Sequence, residues 1–304
     1  MHHRVALLMM LVLAAPILLQ PVSETLVESH AVQHVSSSEP LLGTSDTQPP
    51  SPQLSVGGYA SCAVHNGGQI SCWGDNSDGQ QGTGATSSAV TTPTLTSSLG
   101  AGRTATTVST HDHHTCAVLD NQELRCWGRG SAYRLGTGSE QDQYLPAPIV
   151  LGDGLGAVDV AVGTQHTCAI NTQGGVQCWG AGSSGQIGWG SNNPNPNPVN
   201  GHTNSLGANL TAVQIEVGYE YTCVLLSDGS VKCWGLGSEG RLGSGNNNQN
   251  VPSAVSFGHN RIATQISIGH STACALMNDG SVVCWGRNTF GQIGDGTTTT
   301  RNGP

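Results

Sequence analysis

Ten cysteines are the residues of this chain whose type and spacing could do chemistry, and they occur as five pairs. In every pair the two cysteines are ten positions apart, and the second is followed directly by Trp-Gly. Paired thiols can form disulfides or bind a metal ion. We favour disulfides over zinc, because zinc sites generally use tighter cysteine spacings with a second pair or histidines nearby. The predicted pairs are Cys62 with Cys72, Cys116 with Cys126, Cys168 with Cys178, Cys223 with Cys233, and Cys274 with Cys284.

A β-hairpin is the element that must position each pair. In four repeats a glycine lies six residues after the first cysteine, with Gln122 as the exception. This glycine favours a three-residue loop whose last member is left-handed, which places the cysteines opposite each other at a non-hydrogen-bonded position. The next pair on that face is aliphatic, as with Leu225 and Val231, while the other face carries small residues beside tryptophan. Each hairpin therefore needs a neighbouring sheet on both sides.

The unit repeats along the chain, because successive first cysteines are 54, 52, 55 and 51 residues apart. After every Trp-Gly a glycine follows nine residues past the tryptophan, and in four repeats another lies six past it, Tyr133 being the exception. Such a period is typical of propeller blades and solenoid units. The predicted structural residues are Trp73, Trp127, Trp179, Trp234 and Trp285 with Gly82, Gly136, Gly188, Gly243 and Gly294.

The segments WGAGSSGQIG, WGLGSEGRLG and WGRNTFGQIG resemble the regulator of chromosome condensation repeat. The resemblance runs from about residue 54 to the end and implies an all-β fold, a β-propeller of repeated four-stranded blades, usually seven. Members of that family include a nucleotide exchange factor for a small GTPase, a secreted bacterial inhibitor of β-lactamases, light receptors and ligase-associated modules. They share a ring whose variable loops bind other proteins. The expected repeats lie at about 54–90, 91–144, 145–197, 198–250 and 251–304.

Five repeats are visible where the family usually has seven, and Pro304 falls at the entrance to a further repeat. This pattern predicts a truncated chain. The alternatives are a smaller closed ring, an open arc, or closure by a second chain.

The amino-terminal segment is basic and then apolar over residues 5–19, which predicts a secretory signal peptide at 1–23, with a retained anchor as the alternative. Residues 24–53 are rich in Ser, Thr and Pro and are predicted to be a disordered linker. Together with the paired cysteines, the signal indicates an exported, prokaryotic-type family member that is secreted or held at the cell surface or in the periplasm. No other membrane insertion is predicted.

The composition indicates the type of secondary structure and excludes some classes of partner. With 43 glycines and 10% charged residues, the chain favours short strands and tight turns over helices. The net charge of -9 argues against nucleic acid or an acidic membrane surface as a partner, because both select basic patches.

Several polar residues are candidate ligands or catalysts. The run His111-Asp112-His113-His114 could hold a divalent metal, but His114 and His166 share a repeat position, two before a cysteine, which favours a structural or loop role. Asp159, Glu216 and Glu220 have no assignable partner and are interpreted as solvated surface. The irregular Pro/Asn loop carries the candidate binding residues Trp189, Asn192 and Asn195, with a tucked-in ring as the alternative.

We therefore expect a non-catalytic module that binds a protein or surface ligand through its loops, with no cofactor and no metal ion. The sequence has no Gly-x-Ser-x-Gly or His-Glu-x-x-His motif, and its cysteines are committed to pairs. The alternatives are a guanine-nucleotide exchange factor like the family founder, a secreted hydrolase or lyase with a pocket acid such as Glu216, and a purely structural surface protein.

Overall fold

A computed structural model describes residues 53–198 and 206–304; the predicted signal peptide and all but the last residue of the predicted linker lie outside these ranges. The described chain forms successive antiparallel sheets, each built from strands in chain order. The first sheet holds β1 (Gln53–Val56), β2 (Ala60–Val64), β3 (Ile70–Asn76) and β4 (Ser87–Leu95). The second holds β5 (Ala105–Thr110), β6 (His114–Leu119), β7 (Leu124–Gly128) and β8 (Gln143–Ile149).

The remaining three sheets repeat this order. The third holds β9 (Ala157–Val162), β10 (His166–Asn171) and β11 (Val176–Gly180). The fourth holds β12 (Ala212–Val217), β13 (Tyr221–Leu226), β14 (Val231–Gly235) and β15 (Gln249–Ala254). The fifth holds β16 (Ala263–Ile268), β17 (Thr272–Met277) and β18 (Val282–Gly286). In the third and fifth sheets a single bridge, Gly180–Asn195 or Gly286–Arg301, stands where the fourth strand would pair.

Helix among the described residues takes the form of short 3₁₀ turns such as Ser131–Tyr133, Gly152–Gly154 and Ser238–Gly240. None of the helices in the ranges 53–198 and 206–304 is long and apolar enough to cross a membrane. The predicted all-β architecture of repeated propeller blades is confirmed.

The hairpin register follows the predicted loop. Gly68 has φ +74°, and its N–H donates to the His65 carbonyl at 2.9 Å, which closes a three-residue loop. Val64 then pairs with Ile70, and the first cysteine of the repeat stands directly opposite the second. The same register recurs in the other four hairpins.

All five cysteine pairs are disulfide-bonded, as predicted. The Cα atoms of each pair are 4.0–4.1 Å apart, as suits opposed residues at a non-hydrogen-bonded position. Every bridge lies within one hairpin, and none joins two sheets. The bridges are Cys62 to Cys72, Cys116 to Cys126, Cys168 to Cys178, Cys223 to Cys233, and Cys274 to Cys284.

Neighbouring sheets pack with the cysteine face of one against the tryptophan face of the next. Between the first and second sheets, Val64 and Ile70 form one buried cluster with Ala117 and Trp127. The Trp127 indole N–H donates to the Gln80 carbonyl at 2.9 Å. The same arrangement joins Trp179 to Arg134 O, Trp234 to Gln186 O and Trp285 to Arg241 O.

The glycine nine residues after each tryptophan makes this packing possible. A Cβ on Gly136 would lie 2.6 Å from Trp179 Nε1, closer than real side chains approach. The repeated tryptophans and glycines thus form the contact between one sheet and the next.

Candidate functional site

A depression of about 250 Å³ lies where the first strands of all five sheets end. Because the first strand of each sheet is the one nearest its counterparts in the other sheets, this depression marks the centre of the array. The polar residues that line it are Ser55, Ser109, Thr110, His111, Glu216 and His270. A concave surface with a few convergent polar groups is the default candidate for a binding site.

Polar side chains fix the first strands relative to one another. The Thr110 N–H donates to Ser55 Oγ at 2.9 Å, and the Val162 N–H donates to Ser109 Oγ at 3.1 Å. Gln214 makes a two-way contact with Ile266: it accepts from the backbone N–H at 2.9 Å and donates to the carbonyl at 2.7 Å. The wall of the depression is therefore held by hydrogen bonds between sheets.

Two carboxyl groups lie beside this wall, in the third and fourth sheets. Burial raises the pKa of Glu216 to about 7, although a hydrogen bond from Gln214 at 3.0 Å favours the charged form. Burial likewise raises the pKa of Asp159 to about 6, while the backbone N–H groups of Val160 and Ile215 favour its charged form. Both residues are half-buried by the packing of neighbouring first strands, so the interpretation of both as solvated surface is wrong. Glu216 is thus partly protonated near neutral pH.

The turns between the first and second strands rim the depression, and we call them the inner-turn surface: residues 57–59, 111–113, 163–165, 218–220 and 269–271. Tyr219 stacks on His270 with ring centroids 4.5 Å apart and planes 10° apart. Tyr59 is 63% exposed and lies 6.4 Å from the His113 ring. This surface therefore combines an exposed tyrosine and a half-buried tyrosine with imidazoles.

Asp112 ties the first two inner turns together. Its carboxylate accepts the Gly58 N–H at 3.0 Å and lies 3.3 Å from His111 Nδ1. A Cβ on Gly58 would come 2.3 Å from that carboxylate, so a side chain there would displace the contact. Burial lowers the pKa of His111, an effect opposed by Asp112 and reinforced by His113 and His270.

The histidine run is divided between surface and core. His113 Nδ1 lies 2.8 Å from Asp78 Oδ2 on the inner-turn surface, whereas His114 is fully buried. Since the Thr167 hydroxyl donates to Arg134 O, it must accept from His114 Nε2 at 2.8 Å. Burial lowers the pKa of His114 well below its ordinary value and that of His166 to about 3. Within the described ranges, no three His, Cys, Asp or Glu side chains are grouped closely enough to hold a metal ion.

The predicted binding loop has three different environments. Trp189 is partly buried against the core cluster of the third and fourth sheets. This agrees with the alternative of a tucked-in ring rather than an exposed binding residue. Asn195 is 1% exposed, and its amide donates to the Cys178 carbonyl at 2.8 Å. This side chain therefore makes a structural hydrogen bond within the sheet. Asn192 is exposed. Glu220 lies elsewhere, on the inner-turn surface, where it accepts from Ser184 Oγ at 2.8 Å.

Sequence reasoning missed most of the inner-turn surface. A signal for it exists in the repeat, because the position four residues before each first cysteine changes in every copy, from Gly58 to Asp112, Thr164, Tyr219 and His270. Positions used for packing vary little between repeats, whereas positions free to bind a partner vary more.

Comparison with known proteins places this arrangement in a family. Two models described as "Regulator of chromosome condensation (RCC1) repeat" match, one at 53–80, 157–186, 212–241 and 263–292, the other at 67–118, 124–170 and 228–276. The chain is 31% identical to the Ultraviolet-B receptor UVR8 of Arabidopsis thaliana over 83% of this chain and 56% of that protein. It is 30% identical to the human E3 ubiquitin-protein ligase HERC2 over 83% of this chain and 5% of that protein.

Solved structures show the same fold. Human WBSCR16 superposes with a TM-score of 0.72 at 23% identity, over 83% of this chain and 65% of that one. Yeast RCC1 (Prp20), bound to Kap60, superposes with a TM-score of 0.65 at 21% identity, over 77% and 55%. The chain spans about half, or less, of the sequence relatives named above. With its five matching sheets and repeated Trp-Gly contacts, the chain belongs to the regulator of chromosome condensation repeat family.

Proposed function

We propose that this protein is an exported, non-catalytic module that binds a partner protein through the inner-turn surface and the central depression. The observation that carries the proposal is that some positions of the repeat pack against the neighbouring sheet while others vary and face solvent. The Trp-Gly residues contact the neighbouring sheet, whereas the position four residues before the first cysteine changes in every copy, and Gly58 and His270 at this position line the depression. Tyrosine side chains such as the exposed Tyr59 and the half-buried Tyr219 are enriched among the residues that anchor protein interfaces.

Relatives support a binding role in general terms. One solved neighbour of this fold was crystallised with Kap60, and another is described by its binding properties to Gsp1p and histones. Since a common fold hosts different partners, neither partner is carried over to this chain. The acidic balance of the chain, -9, does not favour nucleic acid.

Export is the part of the proposal that rests on the disulfides. Disulfides persist in oxidising compartments and are rare in the cytosol, and all the described cysteines are paired. For the same reason we do not favour a nucleotide exchange factor acting on a cytosolic GTPase. A fusion of residues 1–53 to a reporter, with the apolar run interrupted by lysine as control, measures export directly; retention of the unaltered fusion inside the cell would contradict it.

Binding is tested by quantitative cross-linking and mass spectrometry on living cells of the source. The triple variant Tyr59→Ala, Tyr219→Ala, His270→Ala should lose the partner that the unaltered protein captures. Tyr144→Ala is the matched control, because Tyr144 is 41% exposed on the outer strand β8. Equal capture by the triple variant would refute the inner-turn surface as the site, and capture of nothing by any form would favour a purely structural protein.

One observation favours a second candidate, a secreted hydrolase or lyase. A carboxyl with a pKa of about 7 in a depression, as at Glu216, has the proton affinity of a general acid. Glu216→Gln separates the two candidates, because a non-catalytic module should turn over no substrate with either side chain at this position. Turnover of any glycan, ester or peptide substrate that disappears with Glu216→Gln would instead establish an enzyme.

A further inference from the structure

Two serines that line the central depression retain hydrogen-bond donors that no described residue accepts. Ser109 Oγ accepts the Val162 N–H at 3.1 Å, and Ser55 Oγ accepts the Thr110 N–H at 2.9 Å. A hydroxyl that accepts an N–H still has its own proton to donate. Neither serine proton has an acceptor in the part of the chain that the structure describes. Both protons are therefore available to a ligand that enters the depression.

The Thr110 hydroxyl, in the same wall, is not available in this way. Thr115 donates its proton to the Gln80 carbonyl at 2.8 Å. The hydrogen bond of 2.8 Å between the two threonine hydroxyls must therefore be donated by Thr110. The free protons of Ser55 and Ser109 are thus a property of their position rather than of every hydroxyl in the wall.

Glu216 stands at the same repeat position as these two serines, since each pairs with the first cysteine of its repeat. One carboxyl oxygen of Glu216 accepts from Gln214 Nε2 at 3.0 Å, while the other has no hydrogen-bond partner within the described ranges. Burial raises the pKa of Glu216 to about 7, and the charge of Asp159 adds to this effect. The second oxygen can therefore carry a proton near neutral pH and donate it.

Two imidazoles among the lining residues add further donors. His111 Nδ1 lies 3.3 Å from Asp112 Oδ2, and His270 Nδ1 lies 2.9 Å from Ser271 Oγ. Neither Nε2 atom has a hydrogen-bond partner among the described residues. The ligand that fits a group of hydroxyl, carboxyl and imidazole donors is one that only accepts hydrogen bonds. An ionised carboxylate is such a group, with about four acceptor positions on its two oxygens.

The inner-turn surface already holds one carboxylate of the chain itself. Asp112 Oδ1 accepts the N–H of Gly58, a residue that lines the depression, at 3.0 Å. The residues equivalent to Asp112 in the third and fourth sheets are Thr164 and Tyr219, and neither is acidic. The chain therefore supplies no carboxylate of this kind between the second, third and fourth sheets.

We propose that the central depression binds a single carboxylate, supplied by an aspartate or glutamate side chain of the partner protein. The hydroxyls of Ser55 and Ser109, the protonated carboxyl of Glu216 and the imidazoles of His111 and His270 would donate to it. This assignment rests on the proposed function, because it names the chemistry of the partner at the same site. The net charge of -9 opposes a long acidic segment, so the site fits one carboxylate rather than a run of them.

Titration of the purified chain with short peptides, followed by amide chemical shifts in NMR spectra, tests the proposal. Acetyl-Ala-Glu-Ala-amide carries a side-chain carboxylate, acetyl-Ala-Ala-Ala carries a terminal carboxylate, and acetyl-Ala-Gln-Ala-amide carries none. We expect the glutamate peptide to shift the amide signals of Gly218 and Gly269, which line the depression, and the glutamine peptide to leave them unchanged. A shift caused by the terminal carboxylate alone would overturn the assignment to a side chain. The absence of a shift with either carboxylate would overturn the proposal.

The pH dependence of binding tests the donor role of Glu216. Only the protonated carboxyl donates, and its share falls from about nine-tenths at pH 6 to about one-tenth at pH 8, so the dissociation constant should rise about tenfold. Asp159, whose pKa is about 6, ionises at lower pH than Glu216, and Tyr221 stays neutral because burial raises its pKa. Loss of charge on His111 and His270 acts in the same direction. An affinity that is constant or rises over this range would contradict donation from Glu216.

Glu216→Gln has a predicted gain that a folding defect cannot imitate. Its amide donates at every pH, so it should bind the glutamate peptide at least about threefold more tightly than the unaltered protein at pH 8. Ser109→Ala should weaken binding at least about fivefold. Ser267→Ala is the matched control, because Ser267 shares the repeat position but does not line the depression.

Equal affinity of the unaltered protein, Glu216→Gln and Ser109→Ala for the glutamate peptide would overturn the proposal. The outcome is separable from that of the proposed function. If the triple variant of the inner-turn surface loses the cellular partner while no form of the protein binds either carboxylate peptide, the carboxylate assignment fails and the proposed function stands. If the triple variant still captures the partner, the proposed function fails, and with it the assignment of the carboxylate to that partner.

Discussion

The inner sheets and the two end sheets carry the same repeat, but they differ in what surrounds it. The Cys168–Cys178 bridge of the third sheet is fully buried, whereas Cys274 and Cys284 of the fifth sheet are partly exposed. Trp179 is fully buried, whereas Trp73 is not. This difference indicates that the contribution of a repeated residue to stability depends on the adjacent sheet rather than on its own hairpin.

This is the behaviour of a quasi-one-dimensional array. Stability in such an array is approximately the sum of a term for each unit and a term for each contact between neighbours. A residue that faces a neighbouring sheet contributes to both terms, whereas an equivalent residue without such a neighbour contributes only to the first. Substitutions at equivalent positions should therefore have unequal effects, which allows direct tests of the comparison.

The largest difference is expected at the motif tryptophans. Trp179→Ala should lower the free energy of unfolding by about 4 kcal/mol, because it leaves a cavity between two sheets and removes the hydrogen bond to Arg134 O. Trp73→Ala should cost less than about 2 kcal/mol, because its ring is partly exposed. Urea unfolding monitored by far-ultraviolet circular dichroism measures both. Equal losses would show that the contribution of the tryptophan arises within its own hairpin, contrary to the comparison.

The disulfides provide the second test. In dithiothreitol under native conditions, the bridge from Cys274 to Cys284 should be reduced at least about tenfold faster than the other bridges, because thiol attack requires access to the sulfur. The cysteines of the first four sheets are 0% exposed and should react only after local opening. Timed alkylation followed by peptide mapping gives the five rates. Reduction of all five bridges at one rate would indicate that the whole array opens together.

The third test concerns a charge carried only by an inner sheet. Position 216 is glutamate in the fourth sheet, while the equivalents in the first and fifth sheets are Ser55 and Ser267. The pKa of Glu216 is raised from 4.5 to about 7, so the folded state binds more protons than the unfolded state between these values. The free energy of unfolding should therefore fall as pH rises from 4.5 to 7, an effect to which Asp159 adds between 3.8 and about 6.

Glu216→Ser is the matched variant, because it installs the residue found in the end sheets. We expect it to weaken the fall in stability between pH 6 and 7, where the Asp159 contribution has largely ended. Urea midpoints measured at steps across this range check the expectation. An unchanged slope would mean that Glu216 is solvated in the folded protein.

Much of the fold could be predicted because it is encoded over short distances. The spacing of Cys62 and Cys72 and the glycine between them determine the loop, the loop determines the register, and the register determines the disulfide. The repeat then predicts the same structure five times. Contacts within one hairpin need no knowledge of how hairpins are arranged in space.

The candidate site could not be predicted in the same way, because it forms where separate sheets converge. Asp159 and Glu216 are singletons in the sequence and come close enough to interact only after the first strands pack side by side, which also places Glu216 in the depression. The sequence predicts that Asn195 lies in an irregular loop, yet an antiparallel β-bridge to Gly180 places it beside the third sheet. The exposure of Val282 could not be predicted either, since nothing in a single repeat distinguishes Val282 from its buried equivalents.

The smallest expected effect lies at the two exceptions to the glycine pattern. Gln122 and Tyr133 in the second sheet have φ +67° and +59°, the left-handed conformation that glycine adopts at the same positions elsewhere. Because side chains are strained there, Gln122→Gly and Tyr133→Gly should each stabilise the protein by about 0.5 to 1 kcal/mol. Gly174→Ala is the converse control and should destabilise it, since its Cβ would lie 2.4 Å from Thr211 Cβ. An unchanged thermal midpoint in both variants would contradict this expectation. The side-chain contacts of Gln122 and Tyr133 would then offset the backbone strain, and the second sheet would be stabilised differently from the other sheets.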